Sequence, residues 1–193
     1  MRKVIYSLTL SLDGFVETVD GKLDWSAPDP ELHTFINEQQ REVGAYVYGR
    51  RLYELMAGFW PTADQDPDAP PYVVDFARIW RDTPKVVFST TLRHVDWNST
   101  LVRGGDDEAF AAQVAELRAR PGGPLAVGGP GLAATFVRLG LVDEYRLYLH
   151  PTILGGGKPF FPALDAPIDL RLVQARTFGS GVQYLRYQRA DRG

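Results

Sequence analysis

Along the first ten residues Val4, Tyr6, Leu8 and Leu10 alternate with Ile5, Ser7 and Thr9, the two-residue period of a β-strand. Apolar side chains occupy both faces near its start, which predicts a central, buried strand. The pattern breaks at Ser11-Leu-Asp-Gly14 and stays polar and glycine-bearing as far as Trp25. The period then lengthens. Leu32, Phe35, Ile36 and Val43 lie at helical spacing behind Pro28-Asp-Pro-Glu31, whose prolines and acids mark a first turn.

The same change of period recurs down the chain. Ala45–Tyr48, Lys85–Phe88 and Leu125–Val127 read as short apolar strands. Helical runs carry Leu52, Leu55 and Met56, then Val73, Phe76, Ala77 and Trp80, then Phe110, Val114 and Leu117, then residues 132–139. Thr100–Val102 reads as a short edge strand, and Glu144–His150 alternates again. Leu170–Val173 and Val182–Tyr187, joined around Gly179-Ser-Gly181, predict an antiparallel hairpin. Residues 61–71 are rich in proline and aspartate, show no core pattern and read as a surface loop. Strands alternate with helices and the chain finishes in strands. That order predicts an α/β fold, a mostly parallel sheet flanked by helices with an antiparallel C-terminal hairpin. One domain over residues 1–193 is expected at this length.

Composition narrows the function. The chain is 45% hydrophobic and 23% charged with a net charge of −3, so neither a nucleic-acid nor a membrane surface is expected. The absence of cysteine excludes disulfides, zinc–thiolate sites and thiol catalysis. It suits a reducing compartment, and a cytoplasmic protein without a signal peptide or membrane span is expected. The three histidines, His33, His94 and His150, lack metal-ligand spacing, so no metal is expected. His150 reads as a strand-face or interface histidine, and the acids from Asp64 to Asp68 as a solvated loop. The apolar terminal hairpin suggests a homodimer.

Three strands end in short turns able to hold a ligand: Gly49-Arg50-Arg51, Ser89-Thr90-Thr91, and Gly128-Gly129 leading through Pro130-Gly131 into a helix at Leu132. In open α/β sheets, ligands sit beyond the carboxyl ends of strands. Here guanidinium charge, hydroxyls and bare backbone would meet on one edge, which suits a phosphate-rich dinucleotide. Arginine beside serine and threonine favours NADP over NAD. Taken alone, the glycine pair and each arginine read first as a plain turn or a solvated helix start, and Ser89–Thr91 as a capped turn; it is their coincidence at successive strand ends that points to a ligand.

Taken in order, Ser11-Leu-Asp-Gly14, Trp25 before Glu31, Tyr48-Gly-Arg-Arg-Leu-Tyr53, Val87-Phe-Ser-Thr90, Val127-Gly-Gly129, Leu141-Val-Asp-Glu-Tyr145 and Pro151-Thr-Ile-Leu-Gly-Gly-Gly157 resemble the dihydrofolate reductase-like superfamily. The resemblance is specifically to the C-terminal reductase domain of the bacterial riboflavin-biosynthesis protein, and it covers nearly the whole chain. It implies NADPH lying across the strand ends, with Gly49 and Arg50 at its phosphates and Ser89 and Thr90 at the adenosine 2′-phosphate. Gly128 and Gly129 match the family's glycine pair, joined in reductases of the superfamily by a cis peptide. The nicotinamide would border residues Leu10 to Gly14. Two departures stand out: Leu52 replaces a polar residue, and Pro130 follows the glycine pair without an N–H to donate. Phosphate contacts would then rest on Gly129, Gly131 and the arginines.

The implied activity is NADPH-dependent hydride transfer to the C=N or C=O of a small heteroaromatic, pterin-like or ribosylaminopyrimidine-like substrate, with a carboxylate assisting protonation. Glu31 and Asp13 are the leading carboxylates, followed by Asp29. Each has a plain alternative as helix-start charge or turn aspartate. Trp25, Phe35, Leu55, Phe59 and Trp60 are expected around the substrate, and serve equally well as core. Two other roles fit the same scaffold. One is a non-catalytic NADP(H)-binding or sensing protein. The other is an interaction protein whose cleft is filled by Trp60 or the 61–71 loop.

Overall fold

The computed structural model describes residues 1–26 and 29–190. Pro28, the first residue of the expected helix start, lies outside the described residues. In chain order the elements are β1 (Val4–Ser11), β2 (Phe15–Glu17), α1 (Pro30–Gln40), β3 (Ala45–Gly49), α2 (Arg50–Phe59), α3 (Pro71–Asp82), β4 (Lys85–Phe88), β5 (Ser99–Val102), α4 (Asp107–Ala119), β6 (Leu125–Gly128), α5 (Pro130–Arg138), β7 (Glu144–His150), β8 (Lys158–Pro159), β9 (Leu170–Thr177) and β10 (Gln183–Arg189).

Eight strands form one sheet in the order β5-β4-β3-β6-β1-β7-β10-β9. Every neighbouring pair from β5 to β7 is parallel, and β10 runs antiparallel to both β7 and β9. The sheet is therefore mostly parallel with an antiparallel C-terminal hairpin, as the sequence pattern predicts. The carboxyl ends of β1, β3, β4 and β6 consequently share one edge.

Both faces of the central strands are covered. Phe110, Val114 and Leu117 of α4 and Phe136 and Val137 of α5 pack with Val4, Tyr6 and Val127. On the opposite face, Tyr53 of α2 and Phe76 and Trp80 of α3 meet Tyr46, Tyr48 and Val87. Leu32 and Phe35 of α1 close over the hairpin side with Tyr148, Phe178 and Tyr184. Asp29 starts α1 by accepting the Leu32 N–H at 2.8 Å.

Three stretches differ from the sequence reading. Phe15–Glu17, in the polar stretch after β1, and Lys158–Pro159, which the sequence pattern leaves unassigned, pair as a two-stranded antiparallel ribbon. They are too short for a two-residue period to register. Residues Trp60–Gln65 form a 3-10 turn with Pro61 and Ala63 buried, so the proline-rich segment does contribute to the core. Asp64 anchors that turn through two bonds from Arg81, at 2.7 and 2.6 Å. Lys85, which opens β4, is buried. Its ammonium donates to the carbonyls of Trp80 and Arg81 at the end of α3 and lies 4.0 Å from a Trp80 ring centroid.

Candidate functional site

The sharp turns from β3 into α2 and from β6 into α5 shape the carboxyl edge. Gly49 and Gly129 occupy the two N-cap positions, and neither helix start has a side-chain cap. Both first turns therefore keep N–H groups available to an anion. Between them lies a cavity of about 650 Å³, walled by Gly49, Arg50, Leu52 and Leu55 on one side and Gly128 to Leu132 on the other. Leu8, Val16, Glu17, Leu23 and Lys158 close its far end.

A second cavity of about 440 Å³ continues along the edge past β4 and β5. It is lined by Arg50, Ser89, Thr90, Thr91, Arg103, Gly104 and Gly105, with Phe88 and Phe110 beneath. Arg50 belongs to both cavities. Its guanidinium has no ion pair among the described residues and remains available to a ligand. The three turns singled out in the sequence thus line two cavities that share Arg50.

The glycines serve different ends. A Cβ at Gly128 would stand 2.6 Å from Leu52 Cδ2 and 3.1 Å from the Tyr48 ring, so this glycine makes room for the protein's own side chains. Gly129 has φ +85°, a conformation that disfavours other residues. A Cβ at Gly131 would meet nothing within 4 Å, which leaves that backbone open to the cavity. There is no cis peptide among the described residues, so the 128–129 link is trans, contrary to the expectation. The positive φ at Gly129 makes the turn instead.

Arg51 has partners within the protein. Its guanidinium pairs with Glu17 at 2.8 Å and donates to the Gly21 carbonyl at 3.3 Å. Its charge is engaged by the β2 segment in an exposed pair, and the residue also lines the large cavity. Ser89 Oγ accepts the N–H groups of Thr91 and Leu92 at 3.2 and 3.0 Å and so holds its turn, leaving the exposed Thr90 as the more open hydroxyl. Arg103 escaped the sequence reading. A lone exposed arginine after an edge strand gives no signal, and only the β4–β5 pairing places it beside Ser89, whose N–H donates to Val102 at 3.0 Å.

The two leading carboxylates sit differently. Asp13 accepts from Ser11 Oγ at 2.6 Å, Leu154 N–H at 3.1 Å and Gly155 N–H at 2.7 Å. The Ser11 bond, followed by these backbone donors, holds its carboxyl below the usual value. Asp13 is thus an ionised staple between the β1 turn and residues 154–155, an arrangement that opposes proton donation. Glu31 lies at the start of α1, where its oxygens accept from Arg176 at 2.9 Å and the Gly179 N–H at 3.3 Å.

The expected substrate residues divide. Leu55 lines the large cavity. Trp25 is half-buried, donates from its indole to the Val16 carbonyl at 3.3 Å and lies edge-on to His150. Phe35 is core: it is buried edge-on against Phe178 and Tyr184, with centroids 5.3 and 4.9 Å away. Trp60 packs at 4.3 Å on Phe76 and lines neither cavity. Neither Trp60 nor residues 61–71 line the cleft, which removes the observation that would favour a filled, non-binding scaffold.

Comparison with known proteins agrees with this geometry. A family model described as the RibD C-terminal domain matches residues 2–184. The uncharacterized protein YyaP of Bacillus subtilis (strain 168) is 34% identical over 189 residues, 96% of this chain and 94% of that one. Among solved structures, a putative riboflavin biosynthesis protein from Shewanella sp. PV-4 superposes with a TM-score of 0.73 at 25% identity, covering 97% of this chain and 99% of the other. Dihydrofolate reductase from Enterococcus faecalis, complexed with NADP(H), superposes with a TM-score of 0.65 at 16% identity, covering 98% and 97%.

Proposed function

The chain belongs to the RibD C-terminal domain family, and from that premise we propose that it is an NADPH-dependent reductase of a small pterin-like, ribosylaminopyrimidine-like or other heteroaromatic substrate. The observation that carries the reading is the pair of cavities joined at Arg50, with two uncapped helix starts facing into the edge.

The residues present fit a dinucleotide phosphate. Arg50 and the α2 start would hold one side of the pyrophosphate, and the Gly129–Leu132 backbone the other, with Pro130 contributing no donor. Thr90, Arg103 and the hydroxyl of Ser89 would hold the 2′-phosphate in the second cavity. Leu8, Val16 and Leu23 would offer an apolar wall to the nicotinamide end.

The bound cofactor supplies a hydride to the carbon of a C=N or C=O bond, and the attached nitrogen or oxygen takes up a proton. Between the two carboxylates, Glu31 is the one we assign to proton supply. Its pair with Arg176 is exposed on both partners, 52% for Glu31 and 42% for Arg176, and such pairs are worth about 0–1 kcal/mol. A substrate can displace Arg176 at that cost, whereas freeing Asp13 breaks three hydrogen bonds at once.

Calorimetric titration with NADPH and NADH, followed by NADPH oxidation assays over pterins, ribosylaminopyrimidines and small carbonyls, tests the reading. NADPH binding with oxidation by one substrate class is the expected result. No binding of either nucleotide at millimolar concentration sinks it. Saturable binding without oxidation across the panel makes the protein a nucleotide sensor instead.

A further inference from the structure

His150 ends β7 at the same edge as the cofactor cleft, in register with Ser11 at the end of β1. Two residues earlier, Tyr148 packs with Leu32 and Phe35 of α1, and the strand period puts His150 on that same face. The imidazole is only 7% exposed, and its Nε2 is enclosed with no hydrogen-bond partner among the described residues. Nearly all buried polar groups in proteins find partners, and an orphan costs about 1–3 kcal/mol. No bond within the described fold offsets that cost.

The surroundings point to a ligand as the missing partner. Trp25 lies against the imidazole edge-on, with ring centroids 5.7 Å apart. The single hydrogen bond recorded for its indole is the 3.3 Å one to Val16, at the weak end of the range. Val16 lines the large cavity, while Trp25 and His150 stand beside it and line neither cavity. Asp29 is close enough to act on the imidazole electrostatically. Burial outweighs that carboxylate and holds the ring below its usual pKa, so it is neutral near pH 7, able to donate or accept at Nε2 according to tautomer.

We propose that His150 is a substrate-binding residue whose Nε2 hydrogen-bonds the polar edge of a planar nitrogen heterocycle, with Trp25 as the movable aromatic cover that stacks on it. The proposal rests on the reductase reading and adds a residue to its substrate site that a ligand reaches only when Trp25 moves aside. The position on a face of β7 is the strand-face placement expected from the sequence, and the proposal adds a ligand to it.

Histidine labelled with carbon-13 and nitrogen-15 in the full chain provides the test. The resonance missing from His150→Asn identifies the residue. Two probes, 7,8-dihydropterin and 5,6-diaminouracil, are titrated with and without saturating NADPH. The expected result is that at least one probe shifts the His150 resonance and leaves those of His33 and His94 in place. Its affinity should fall at least tenfold in His150→Phe and less in His150→Asn, which keeps a polar edge, with the NADPH affinity within twofold of wild type. Binding that leaves the His150 resonance unmoved overturns the proposal, and so does no binding of either probe. Should NADPH fail to bind, the cofactor reading falls, while the titration on the free protein still decides the role of His150.

Discussion

Arg51 and Glu17 join the α2 wall of the large cavity to its far end, with Arg51 Nη2 2.8 Å from Glu17 Oε2 and Nη1 donating to Oε1 at 2.9 Å. Arg51 sits in the first turn of α2, and Glu17 ends β2 in the ribbon that closes the far end. The contact is a latch between the ribbon and the cleft. Its arginine side is 71% exposed, so it is worth about 1 kcal/mol at most. We expect Arg51→Ala and Glu17→Gln each to raise the association and dissociation rates of NADPH together, by about fivefold at most. Stopped-flow fluorescence reads both rates. A rise in dissociation alone means that Arg51 holds the cofactor instead.

Arg50 and Arg103 should divide the work of choosing NADPH over NADH. Both line the second cavity, and the Arg103 head is fixed by its 2.5 Å bond to the Leu92 carbonyl. Removing one charge-assisted hydrogen bond costs about 1.5–3 kcal/mol, or at least about tenfold in affinity. Arg103→Ala should weaken NADPH by that factor and leave NADH within about twofold. Arg50→Ala should weaken both nucleotides, NADPH more, because it borders the pyrophosphate as well. Equal losses of NADPH and NADH in Arg103→Ala remove its 2′-phosphate role; calorimetry with the two nucleotides decides.

These two arginines also mark where the sequence was legible. Arg50 follows a strand, a glycine and a helix start, all local signals, and the cleft is where that junction predicts. Gly129 and Gly131 were readable for the same reason. Arg103 becomes a site residue only because Phe88 pairs with Val102 across two strands, a relation invisible in the sequence. Phe35 shows the converse. Its helical spacing is equally good for core and pocket, and the hairpin residues Phe178 and Tyr184, far along the chain, decide for core. Short ribbons such as β2 with β8 carry too few residues for any period, so the Arg51 latch went unread with them.

Glu144 should govern acid stability on the hairpin side. It is 1% exposed and accepts from Arg146 at 2.7 Å, Arg186 at 2.8 Å and Gln188 at 3.1 Å. Burial works to raise its pKa, but the bonds from Arg186, Arg146 and Gln188 prevail and hold it below the usual glutamate value. A depressed folded-state pKa contributes stability above the unfolded value of about 4.3, lost as pH falls through the folded value. Breaking a buried pair costs about 3–5 kcal/mol. Urea unfolding of Glu144→Gln should show a loss approaching that size at pH 7, shrinking below about pH 4 as the wild-type carboxyl protonates. A difference that stays constant between pH 7 and pH 3 contradicts an ionised Glu144.

Gly128 and Gly131, three residues apart, should respond to alanine in opposite ways. At Gly128 the new methyl falls 2.6 Å from Leu52 Cδ2 and 3.1 and 3.2 Å from two Tyr48 ring atoms. Overpacking of this kind costs about 1–3 kcal/mol. Because the nearest atom is the end of a flexible side chain, Leu52→Ala should recover part of the loss in the double variant, with a coupling of at least about 0.5 kcal/mol. At Gly131 the methyl meets nothing and adds helix propensity to α5, so stability should hold or rise by up to about 1 kcal/mol. Because Gly131 lines the large cavity, that same methyl should weaken NADPH binding. Urea unfolding and NADPH titration of the two single variants and the double variant separate the effects. If Gly131→Ala binds NADPH as tightly as wild type, the cofactor does not lie against this turn.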